Sequence, residues 1–383
     1  MAPVIWRSLS KTYLSWAKDI AQSGDVGTYI ASDTLGNPNT IGEKMAKLID
    51  SQGTPRFGLF ESPVDHINVE NYIHRTPFGK KASGFKQWGG FKRFQYYGVL
   101  SDKLILGVAM ADLKHTGAIF LYVYLPESGE IFEKTFRTPF AFGLNMTNSP
   151  TEGETVFTSG QNSIRMQYRK NGEDFEKSLT VNLASGLKVQ SSLNEPAGYE
   201  YMNLCTRIGM NGWVYAQKTA GLPVTGTVES SLGNFNLEEI NAYGHHDFSA
   251  GYMRRETFWN WACLSGKTEA GDEIGLNISC GVNETSWHEN CFWLNGKLVN
   301  TSQSVFEYNE RDLRDPWHIY THDGKVDLDF IYQGAHRERL NAGFVATNFS
   351  QLFGRFEGTI KHDNTAMDIR GMPGFVEEQY AKW

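Results

Sequence analysis

At 383 residues the chain is too long for one small domain, and a prior of roughly one domain per 150 residues gives two or three. Its 36 Lys and Arg against 43 Asp and Glu leave a formal net charge of −7. That argues against nucleic acid, whose counterions a basic surface has to displace. Aromatic residues reach 13% and fall in short β-like runs, a pattern that suits wide sheets or ligand-lined barrels better than helical bundles.

Four cysteines, Cys205, Cys263, Cys280 and Cys291, lack CxxC spacing, which argues against a zinc ribbon and a disulfide scaffold. The start, MAPVIWRSLSKTYLSW, has no signal-peptide core, and the longest apolar stretches, around 104–109 and 118–125, are strand-length. The expectation is a cytoplasmic protein with no transmembrane segment, for which peripheral membrane contact stays open.

Segments 5–22 and 41–50 have helix-compatible spacing around a Gly/Asn/Pro/Asp-rich loop at 32–39. Residues 1–54 therefore read as a short N-terminal helical arm. From about residue 55 the texture changes to strands, at 91–99, 103–110, 118–124, 131–136, 155–158, 163–169 and 175–181. Their spacing, with turn residues between, is that of an antiparallel barrel or sandwich. A second series runs through 199–207, 224–229, 253–262, 273–280, 291–294, 303–308, 325–332, 344–347 and 353–360.

In CFWLNGKLV, Asn295-Gly296 supplies the two positive-φ positions of a type I′ hairpin. After the His322-Asp323-Gly324 turn, Val326, Leu328 and Phe330 alternate with Asp327 and Asp329, which predicts an apolar face and a solvated one. The fold expected is mainly β: two antiparallel barrels in tandem, over 55–198 and 199–383. No glycine-rich loop joins a strand to a helix, so Rossmann and P-loop readings fail, and no cofactor is expected.

Two segments concentrate polar and aromatic chemistry. In YGHHDFSAGYMRRETFWNWA, His245, His246 and Asp247 follow a glycine and read as a rim loop, where a carboxylate sets the tautomer and basicity of an imidazole. A loop network that fixes entry into the next strand is the plainer reading. By strand parity Arg255, Thr257, Trp259 and Trp261 share one face, and Arg254, Glu256, Phe258 and Asn260 the other. Arg254, Glu256 and Asn260 would form a polar cavity floor if turned inward, or a surface ion pair if outward; the two tryptophans suit core packing.

In the second segment Trp287, Glu289, Cys291 and Trp293 share a face, and His288 and Asn290 the other. A carboxylate flanked by indoles is desolvated and prepared for proton donation, unless Glu289 sits exposed at a strand mouth. The catalytic candidates are thus His245, His246, Asp247 and Glu289. The ligand-binding candidates are Arg254, Arg255, Glu256, Trp259, Asn260, Trp261, Trp287, His288 and Trp293. Neither HExxH nor GxSxG occurs, so no metal site and no hydrolase nucleophile are expected.

Several pieces in order and spacing carry a family resemblance: FKQWGGF, VLSDKLILGVAMADL, GHHDFSAGYMRRETFWNWACLSG, GLNISCG, ENCFWLNGKL, DPWHIYTHDGKVDLDF, FSQLFGRFEG and GFVEEQYAKW. Over roughly 55–383 the chain resembles the bacterial family called domain of unknown function 2804. That family is similar to the carotenoid hydratases, tocopherol cyclases and fungal pericyclases. The resemblance implies tandem lipocalin-like (calycin) barrels and an isoprenoid-like or fatty ligand. It also implies cofactor-free acid/base steps on C=C bonds (hydration, cyclisation or isomerisation), of the lyase or isomerase class. It transfers no catalytic residue. A non-catalytic lipid carrier or sensor, with Arg254 or Arg255 meeting a carboxylate headgroup, is the alternative. A carbohydrate-active β-sandwich is the third.

Overall fold

The computed structural model describes residues 47–282, 287–343, 345–363 and 365–383. They form two antiparallel sheets, each strongly curled into a half-barrel, as the lipocalin-like reading requires. The main path of the first sheet runs Ile131–Pro139, Thr116–Tyr124, Ile105–Asp112, Lys92–Leu100, Tyr243–Tyr252, Gly212–Ser230, Lys188–Glu195, Asp174–Asn182, Asn162–Asn171, Gly153–Ser159 and Leu144–Asn145. The second runs Lys297–Asn300, Cys291–Leu294, Glu273–Cys280, Glu256–Lys267, Thr365–Lys382, Ala346–His362, Val326–Asn341, Trp317–Thr321 and Ser304–Glu307. A short helix, Gly84–Gly90, precedes the strand Lys92–Leu100, its start capped by Ser83.

Alternation along the strands builds three apolar layers. In Thr116–Tyr124, Ile119, Leu121 and Val123 enter the core of the first sheet. Tyr122 and Tyr124 point the other way, and Phe120 packs with them. In Glu256–Lys267, Ala262 and Leu264 enter the core of the second sheet, while Trp261 and Cys263 face the first. Each half-barrel thus has its own packed interior, and a third cluster joins the two sheets. The first interior also holds a fully buried ion pair, Lys177 to Glu195 at 2.7 Å, with Gln217 accepting from Lys177 at 3.0 Å.

The two sheets meet backbone to backbone at one point. A bulge lies between Ala220 and Leu222, and Gly221 there has φ +75°, a conformation glycine adopts at little cost. A Cβ on Gly275 would lie 2.4 Å from the carbonyl carbon of Ala220 and 2.5 Å from the Gly221 nitrogen. Gly221 N–H donates to Ser265 Oγ at 3.1 Å, and Ser265 Oγ donates to the Gly244 carbonyl at 3.3 Å.

Several expectations need correction. The change of sheet falls between Tyr252 and Glu256, not near 199, because Gly212–Ser230 and Tyr243–Tyr252 are central strands of the first sheet. The predicted arm lies outside the described residues up to 46; its end does not continue as a helix. Lys47 and Ile49 make isolated bridges to His66 and Pro55, and Leu48 and Ile49 are buried in the first core. Residues 243–252 are a strand rather than a rim loop, paired with Lys92–Leu100 and Gly212–Ser230. The Asn295-Gly296 turn (φ 49° and 77°) and the exposed Asp327 and Asp329 are as predicted.

Replacing Gly275 by Val should cost about 1–3 kcal/mol or more, since the clash is with backbone. Gly84, with open space around it, is the control. A thermal melt should fall for Gly275→Val and stay nearly unchanged for Gly84→Ala.

Candidate functional site

A cavity of about 530 Å³ lies between the two sheets, not inside either half-barrel. The cavity is thus not the barrel interior of the lipocalin-like expectation; inside each half-barrel an apolar cluster packs. The cavity takes its walls from the opposite strand faces. Phe94, Tyr96 and Phe120 come from the first sheet, and Trp259, Trp261 and Phe349 from the second.

Buried charge collects on one wall. Lys218 and Asp247 are register partners on adjacent strands, so the pleat brings their side chains together on one face. Nζ of Lys218 lies 3.2 Å from Asp247 Oδ2 and 2.6 Å from Glu289 Oε1, with every partner buried. It also sits 4.4 Å from the centroid of the Trp261 ring, a favourable cation–π position. Burial alone would push the ammonium down, but the Asp247 and Glu289 carboxylates beside it hold it above the ordinary lysine range. Burial pushes the Asp247 carboxyl up and Glu289 adds to the rise, against the opposing pull of Lys218 and a 2.8 Å hydrogen bond from Ser249.

Glu377, on Thr365–Lys382, lines the same cavity. Burial pushes its carboxyl up to about 8, and Asp247 adds to the rise despite hydrogen bonds from Trp259 and Gln351 and the nearness of Lys218. Trp259 Nε1 donates to Oε1 at 2.8 Å and Gln351 Nε2 to Oε2 at 3.2 Å. At neutral pH Glu377 is therefore a carboxylic acid, oriented by two donors and bordering an apolar space. Such a group is prepared to give a proton.

The structure gathers Asp247, Glu289, Trp259 and Trp261 at this cavity, and places Arg254, which is exposed, on its lining. It separates the two histidines, because neighbouring strand residues face opposite ways. His246 points into the first half-barrel, where its Nε2 is 2.7 Å from Tyr168 Oη, so it cannot act beside Asp247. His245 shares the Asp247 face but is packed among Tyr96, Trp261 and Phe375. Burial, with Lys218 nearby, pushes His245 down to about 3, so at neutral pH it is not the imidazolium a general acid would need.

The expected polar floor of Arg254, Glu256 and Asn260 does not form. Asn260 turns to the other side and donates to Tyr308 Oη at 3.2 Å. Glu256 is exposed and accepts from Tyr380 Oη, and Arg255, also exposed, donates to the Trp383 carbonyl at 2.9 Å. Trp293 stacks on Tyr199 and donates to the Glu200 carbonyl at 2.6 Å. Trp287 is exposed and His288 half-buried, and neither lines the cavity.

Sequence reasoning missed Lys218 and Glu377. The available signals were a lysine inside the apolar run GWVYAQKTAGLPV and the paired glutamates of GFVEEQY, one of which a strand must turn inward. Replacing Lys218 by Met leaves two buried carboxylates without their cation and should cost about 3–5 kcal/mol. Removing the cation takes away the pull that opposes burial at Asp247, whose carboxyl is already raised, so the lost stability should return in part as pH falls toward about 4 and Asp247 takes up a proton. Denaturant titrations at several pH values check this.

The solved structures that the fold resembles are distant in sequence. CghA crystallised with Sch210972 aligns at a TM-score of 0.50 with 8% identity, over 88% of this chain and 97% of that one. Kievitone hydratase from Nectria haematococca aligns at 0.48 with 9% identity, over 89% and 98%. At such identities the likeness concerns the fold. No curated protein matches the sequence. The model of the domain of unknown function DUF2804 matches residues 39–383, reaching further toward the start than the motifs did, and the chain belongs to that family.

Proposed function

We propose that the protein binds an apolar, unsaturated small molecule between its two sheets and transfers a proton to it without a cofactor. The observation that carries this reading is Glu377, a carboxyl buried on the wall of an apolar cavity, oriented by Trp259 and Gln351 and pushed by burial up to about 8. Glu377 gives its proton to one carbon of a C=C bond, and the neighbouring carbon becomes cationic. The indoles of Trp259 and Trp261 line the space beside it and stabilise that charge through their π faces. Loss of an adjacent C–H proton to the Glu377 carboxylate completes an isomerisation. Attack by water, with its proton returned to Glu377, completes a hydration. Asp247 and Glu289 hold Lys218 in place, and its field, together with Asp247, tunes Glu377.

A non-catalytic carrier is the second reading, favoured by a basic part of the lining, Lys92, Arg254 and Lys382, that suits a carboxylate headgroup. Burial lowers Lys92 to about 8, so much of it stays cationic at neutral pH.

Native mass spectrometry with extraction of the bound molecule, applied to wild type and Glu377→Gln, separates the readings. The variant is expected to retain a ligand that differs from the wild-type ligand by one water or by bond position. Added wild-type protein converts it, and the variant is slower by roughly 10²–10⁴-fold. The same unconverted molecule in both proteins would identify a carrier. Because the acid form is the active one, turnover should fall as pH rises through about 8.

A further inference from the structure

Two exposed aromatic segments border the cavity wall. In the first, around the helix Gly84–Gly90, Phe78 and Phe85 are 92% and 78% exposed, with Trp88 beside Phe85 at a centroid distance of 5.9 Å. In the second, Phe140 and Phe142 are 74% and 83% exposed. Phe140 has φ 53° and the next residue, Ala141, has φ 55°. A bulky residue in the left-handed region is rare, and here the turn projects phenyl rings into solvent.

Both segments are tied to the same stretch of lining. Lys92 Nζ donates to the Gly89 carbonyl at 2.8 Å and to the Leu113 carbonyl at 2.6 Å. Phe140 N–H donates to the His115 carbonyl at 2.9 Å. Lys92, Leu113, His115 and Pro139 all line the cavity.

Charge selects the occupant. From Asn71 to Leu100 the chain has no Asp or Glu, although the whole protein carries −7. Arg75, Lys80, Lys81 and Lys86 are exposed among the aromatic residues. Projecting phenyl and indole rings interleaved with lysines match the boundary between acyl chains and anionic headgroups. No described helix is long and apolar enough to cross a membrane.

We propose that this face docks on an anionic phospholipid bilayer and admits the apolar ligand from it to the cavity. The docking stands on exposure and charge alone; only the delivery rests on the function proposed above.

The test is flotation of the full-length protein with vesicles of phosphatidylcholine, with and without phosphatidylglycerol. Binding is expected on the anionic vesicles and should weaken as salt screens the lysines. The pairs Phe78→Ser/Phe85→Ser and Phe140→Ser/Phe142→Ser should each weaken it by about tenfold without lowering the melting temperature. Glu377→Gln should bind vesicles as the wild type does, which separates failure of the docking surface from failure of the chemistry. No flotation of the wild type, or undiminished flotation of both double variants, would overturn the proposal. So would a solution dimer that these substitutions dissociate in a protein that ignores vesicles.

Discussion

An ammonium group held out of water between two carboxylates and under an indole is the interaction on which the site depends. Lys218 reaches Asp247 and Glu289 within 3.2 Å and 2.6 Å, and a buried ion is tolerable only when its partners and geometry are this close. The consequence extends to Glu377. Burial is the chief reason the Glu377 carboxyl is pushed up to about 8; the Asp247 charge adds to the rise, and Lys218, already facing Asp247 and Glu289, pulls against it. Burial and the neighbouring Asp247 charge together make an acid of an ordinary glutamate in an apolar space.

Strand alternation decides where that arrangement can exist. Each sheet turns one face to its own packed interior and leaves the other for its partner sheet. The interface is thus two faces deep in aromatic side chains, with a cavity of about 530 Å³ left between them. The glycine contact between Gly221 and Gly275 brings the backbones together at one point, and from there the tyrosines, tryptophans and phenylalanines fill the seam. The polar groups at the cavity come from both sheets: Lys218 and Asp247 from one, Glu377 from the other. Neither half-barrel alone would form the site.

The strand content was legible because alternation is a local signal: the expected strands at 273–280 and 291–294 match Glu273–Cys280 and Cys291–Leu294 to the residue. The segment 243–252 was not, because Gly-His-His-Asp has the composition of a loop. In place it is a central strand, where Gly98 leaves room for the His245 ring opposite it. Asp247, Glu289, Trp259 and Trp261 could be singled out as chemically unusual neighbours of aromatic residues. Their partners could not. Lys218 is 29 residues from Asp247, and Glu377 is 118 from Trp259; only strand pairing and the packing of two sheets bring them together. The separation of His245 from His246 follows from parity once the segment is known to be a strand, and cannot be seen while it is read as a loop.

The central claim, that Glu377 is a neutral acid between the sheets, can be observed directly. Infrared difference spectra of protein carrying ¹³C-labelled glutamate, wild type minus Glu377→Gln, report the carboxylic C=O stretch of this one side chain. A protonated-carboxyl band present at neutral pH and lost as pH rises through about 8 is the expected result. A carboxylate signature already complete in mildly acidic solution would contradict it.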